Sequence, residues 1–141
     1  MKICQFKCIT FLLLLCGLIG WIVSAEISLR YQKLIIDNLS DCLLFFLFMP
    51  MIETALFNVW LQQGVTDFGV AKKIALVQIR TSAVLISAFA FALAHLAVVG
   101  WWVFAWFIVG LALSLLWEIT RSFWFVAGIH AYWNISLWLH N

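Results

Sequence analysis

The sequence predicts an all-α protein, a polytopic membrane helix bundle with about five transmembrane helices. Three observations predict it. Of the 141 residues, 67% are hydrophobic and only 10% charged, where a soluble domain of this size carries about a quarter charged residues. The apolar residues are gathered into runs close to the roughly 20 residues needed to cross the hydrocarbon core. Most of the nine Trp fall near the ends of those runs, as expected for aromatic belts at the two membrane interfaces.

The first run spans residues 9–25. Lys2 and Lys7 ahead of it and Val23-Ser24-Ala25 before Glu26 also fit a signal peptide with its cleavage site, although the apolar stretch is long for a signal. The second run, 42–61, contains Pro50 and Glu53. Residues 82–116 are too long for a single crossing and read as two spans, 82–99 and 101–116, turning at Gly100. The fifth run is 123–139. Residues 62–80 read as the one sizeable connection, with Lys72 to Ile79 as a short amphipathic piece on the membrane surface.

The chain reads as a single integral membrane domain, residues 1–141. An N-terminal helix and outer loop (1–41) precede a four-helix core (42–141). With the N-terminus inside, Lys2, Lys7, Lys72, Lys73, Arg80 and Arg121 face the cytoplasm and only Arg30 and Lys33 face out. That charge bias predicts an N-in, C-out protein of the inner (cytoplasmic) membrane. A net charge of +2 is too small to suggest nucleic-acid binding. Cys4, Cys8, Cys16 and Cys42 have neither zinc-site nor disulfide-scaffold spacing. They read as apolar filler, with lipidation of Cys4 or Cys8 as the alternative.

Four polar side chains inside these runs speak about function: Glu53, His95, His130 and Asn134. An ionisable group at membrane depth costs at least ~2.5 kcal/mol on insertion scales, so several together point to a shared polar site. His130 and Asn134 are four apart on one helix face, as are Phe91 and His95. Glu53 follows Pro50 by three residues, where a kink would open room beside the carboxylate. Taken alone, each His or Asn reads as helix-to-helix glue. Glu118 and Arg121, three apart, read as a solvated surface pair, and His140 as an interfacial residue.

The order of these residues carries a resemblance. Phe-Ala-Leu-Ala-His-Leu (91–96), the stretch from Phe107 to Trp124 with its Gly, small residues and T-x-S-x-W turn, and His-Ala-Tyr-Trp-Asn (130–134) resemble the CPBP family of intramembrane proteases. That family takes in CAAX-processing and bacteriocin-processing enzymes and is also called Abi. Its signatures are Glu-Glu-x-x-x-Arg, Phe-x-x-x-His and His-x-x-x-Asn, each on its own helix. The second and third are intact here. The first keeps Pro50, Glu53 and Phe57 but has Thr54 for the second Glu and Asn58 for the Arg. The resemblance covers 42–139. Losing both members of an ion pair leaves no orphaned charge, and Thr54 with Asn58 would replace the pair by a neutral hydrogen bond.

The resemblance implies a CPBP-like core in which Glu53 is general base on a water and His95 orients and polarises that water. His130 and Asn134 then stabilise the oxyanion, with Thr54, Asn58 and Phe91 supporting. No cofactor is implied. The expected partners are the lipid bilayer and a peptide or small protein substrate, as in bacteriocin maturation or self-immunity. Two alternatives stay open: Glu53, His95 and His130 as ligands of a catalytic zinc, and a non-catalytic immunity protein that holds a peptide in the same cavity. A two-His haem protein or a proton-conducting bundle needs neither motif.

Overall fold

In the computed structural model the described residues, 39–99 and 102–139, are overwhelmingly helical, with no strand among them. Four helical runs follow one another: α1 (Ser40–Ala71), α2 (Leu76–Val99), α3 (Val103–Thr120) and α4 (Phe123–Leu139). Of these, α1, α2 and α3 are long and apolar enough to cross a membrane. The expected first span at 9–25, its signal-peptide alternative, Cys4, Cys8, Cys16, Gly100 and His140 lie outside the described residues.

The expected connection at 62–80 is corrected. Helix continues through Gln62 to Ala71, and α2 already begins at Leu76, so only residues 72–75 connect. The amphipathic piece expected at Lys72–Ile79 is therefore divided between that turn and the first turn of α2. Lys73 makes the reversal with a left-handed backbone, φ 59°. At 1.5 Å per residue a helix of 32 residues is about 48 Å long, well beyond the roughly 30 Å of hydrocarbon.

Within α1, Leu44–Phe48 and Thr54–Gln62 are π-helical. Pro50 explains the first of these. Its ring crowds the preceding turn and it has no N–H to give; the wider i→i+5 ladder, seen as Met49 N–H to Leu44 O, accommodates it. In that ladder the next carbonyl, Phe45 O, would look to Pro50 for a donor that does not exist.

By contact density the chain divides into two compact units, Glu53–Val126 and a second made of the segments before Glu53 and after Val126. In Glu53–Val126, α2 buries Ala83, Val84, Ala88, Phe91 and Ala92, while α3 buries Trp106, Val109, Ala112, Leu113, Leu116 and Trp117. Gly110 lets the two helices approach closely. A Cβ there would stand 3.0 Å from both the Ala88 carbonyl oxygen and Phe91 Cδ1, the small-residue contact by which membrane helices pack. In the other unit Trp133 and His130 are buried on α4. Leu44, Phe48, Leu56, Leu85, Phe89, Leu93 and Phe104 are all exposed, an apolar outer surface suited to lipid rather than water.

Candidate active site

Glu53 is the last residue before the second π segment of α1. His95 lies on α2, two turns beyond Ser87 and one beyond Phe91. The structure brings the two together: His95 Nε2 is 3.7 Å from Glu53 Oε1, both side chains mostly covered. His95 Nδ1 is 2.8 Å from the Phe91 carbonyl oxygen. A carbonyl can only accept, so Nδ1 carries the proton and Nε2 is the nitrogen turned to the carboxylate. Phe91 thus holds the imidazole from two sides, through its backbone and through its ring, whose centroid is 4.5 Å from that of His95. Trp106 of α3 stands 5.8 Å from the imidazole, and the Phe57 ring meets Phe91 edge-on at 5.5 Å.

On α4, in the other unit, His130 is buried. Asn134 Nδ2 donates to the Phe45 carbonyl oxygen at 3.3 Å. This is the carbonyl that Pro50 leaves without a backbone donor in the π ladder. The bond uses one N–H of the amide, which has two.

Thr54 and Asn58 are both buried, but they do not bond each other as the sequence led us to expect. Asn58 Nδ2 donates to Gln62 Oε1 at 3.2 Å and to Ser114 Oγ of α3 at 3.3 Å; Thr54 Oγ1 has no hydrogen-bond partner among the described residues. Gln62, fully buried, donates to the Ser114 carbonyl at 3.1 Å and to Glu118 Oε2 at 3.4 Å. The Asn58 amide has two N–H groups, and it gives one to Gln62, the next residue of its own stripe on α1, and one to Ser114 across the contact with α3.

Gln62 and Ser114 were missed from the sequence, yet a signal was present. Thr54, Asn58, Gln62 and Thr66 recur every fourth residue, and all four are buried. In a pure α-helix a four-residue step drifts by about 40°, so the stripe would wind off one face. The π turns take up more residues per turn and hold it nearer to a line.

Glu118 also differs from the expectation of a solvated pair. Its side chain is only 15% exposed and it meets Arg80 Nε at 3.2 Å as well as Arg121, while Arg121 donates to Gln63. The carboxylate closes the outer end of the Asn58–Gln62–Ser114 network.

A family model for the Rce1-like type II CAAX prenyl endopeptidases matches residues 35–136. The chain belongs to that family. This confirms the CPBP/CAAX-protease resemblance carried by 91–96, 107–124 and 130–134, and it makes the chain a membrane-embedded peptidase of the CAAX type in general terms. No curated protein and no solved structure matches. Among the described residues no three His, Cys, Asp or Glu side chains are grouped so as to hold a metal ion; the zinc alternative is put to a chelation experiment below.

Proposed function

We propose that the protein is an intramembrane endopeptidase in which Glu53 and His95 activate the hydrolytic water. One observation carries the reading: the carboxylate and the Nε2 of an imidazole whose Nδ1 proton is held by Phe91 face each other at 3.7 Å. With a neutral imidazole both groups are acceptors. A single water donates one hydrogen to each, is oriented by the pair, and turns a lone pair outward towards a peptide carbonyl. Glu53 takes the proton as the C–O bond forms, and the same proton returns to the leaving amine. His130 and Asn134 are assigned to the oxyanion on the strength of the family pattern, one turn apart on α4, each such donor worth roughly 3 to 4 kcal/mol. Thr54, Asn58 and Phe91 support the helix that carries the base.

The substrate class we favour is a peptide or small protein cleaved at the membrane, as in bacteriocin maturation or self-immunity. The orientation is N-in, C-out in the inner membrane. Supporting it, Arg80 and Arg121 both pair with Glu118, Arg121 also donates to Gln63, and Lys72 and Lys73 lie in the turn that precedes the helix carrying Arg80, so the described basic residues fall at the ends joined by that turn. The test is Glu53→Gln, which keeps shape and removes the proton acceptor. Peptide fragments seen by mass spectrometry with the wild type should vanish with the variant, which stays inserted. Persistent fragments sink the assignment, and a phenotype in cells without any fragment favours the peptide-binding immunity protein.

A further inference from the structure

Ser87 takes no part in the motifs, yet it sits at a decisive place. It is fully buried on α2, and its Oγ donates at 2.7 Å to the carbonyl oxygen of Phe57. Phe57 lies inside the π segment that opens immediately after Glu53. The contacts of α1 with α2 then run as an antiparallel ladder: Ser87 on the Phe57 carbonyl, Phe91 on the Phe57 ring, His95 on Glu53. Ser87, Phe91 and His95 are each four apart, as are Glu53 and Phe57, so one face of each helix supplies every rung.

Near the connecting turn the register is keyed by Ile79 of α2, which fills the space over Gly69 of α1, but that contact lies sixteen residues along α1 from Glu53. The outer faces are apolar, and lipid competes with helix on equal terms for apolar side chains, so sliding by a fraction of a turn costs little burial. The π segment adds a second freedom, because a wide turn can migrate along a helix by exchanging one i→i+5 bond for an i→i+4 bond. A directional bond from a rigid neighbour to one particular carbonyl removes both freedoms.

We infer that Ser87 is a positioning residue: by binding the Phe57 carbonyl it pins the π turn and the α1–α2 register, and so holds His95 opposite Glu53. The inference rests on the protease reading only for its functional meaning; its geometric content stands apart.

The experiment is short-linker thiol cross-linking of the full chain in lipid bilayers, with Cys4, Cys8, Cys16 and Cys42 replaced. One pair, Glu53→Cys with His95→Cys, reports the rung at the base. A second, Arg80→Cys with Glu118→Cys, reports the α2–α3 contact. Ser87→Ala removes one oxygen and keeps the Cβ. It should slow cross-linking of the first pair about fivefold, the scale of one net hydrogen bond, and leave the second unchanged. An unchanged first pair overturns the inference. So does equal slowing of both pairs, which makes Ser87 a packing residue whose loss loosens the helices generally. Because no cleavage is measured, a failed Glu53→Gln test removes the protease reading without touching this result.

Discussion

At the scale of single residues, the chemistry is divided between groups that touch the reaction and groups that hold them. Glu53 and Thr54 are neighbours with different tasks. In the proposed reaction Glu53→Gln removes the base, whereas Thr54→Ala removes a hydroxyl that bonds nothing among the described residues and should leave most of the cleavage rate intact. Asn134 raises a sharper question, since its amide already serves the Phe45 carbonyl. If its second N–H also meets charge that exists only in the transition state, Asn134→Ala should lower the rate by about a hundredfold or more with substrate affinity little changed. If the Phe45 bond is its whole role, the loss appears in the unfolding midpoint with the rate nearly kept. Steady-state kinetics and a denaturation curve on the same variant separate the two.

At the scale of the elements, α2 and α3 are held by close approach more than by hydrogen bonds. Ala88 and Gly110 meet backbone to backbone, and the obstacle to a side chain at 110 is main chain, which cannot swing aside. Gly110→Val should therefore cost about 1–3 kcal/mol, the usual range for overpacking a tight core, and lower the detergent-unfolding midpoint accordingly. A variant as stable as the wild type would show that α2 and α3 can separate without loss. On α1 the polar stripe works differently. Gln62 and Asn58 cross to Ser114 and Glu118, satisfying groups that lipid would leave bare. Pro50 bends the usual accounting of the same helix, replacing a backbone donor by the Asn134 side chain.

At the scale of the whole molecule, the two chemical rivals differ in what they require from outside. Water activated by a carboxylate and an imidazole needs no metal, so purified protein should contain no stoichiometric zinc and should keep its activity after strong chelation. Elemental analysis showing one zinc per chain, with activity lost on chelation and restored by zinc, would turn Glu53, His95 and His130 from base, water-orienting acceptor and oxyanion donor into ligands.

The sequence by itself determined the class, an all-helical membrane protein, and nominated the residues of the candidate site, because apolar runs and ionisable groups within them have few alternative explanations in a membrane. It also announced the family, through Phe91 with His95 and His130 with Asn134. Only the tertiary structure decided that helix runs on past Gln62, that Asn58 turns to Gln62 and Ser114 rather than to Thr54, and that Glu118 is covered rather than solvated. It alone revealed the π turns and the side chains, Ser87 and Asn134, that bind the Phe57 and Phe45 carbonyls. Hydropathy records which residues avoid water. Which backbone oxygen lacks a donor depends on the ladder that forms around Pro50, and which side chain supplies one depends on the helix packed beside it; neither is written in the periodicity of a single segment.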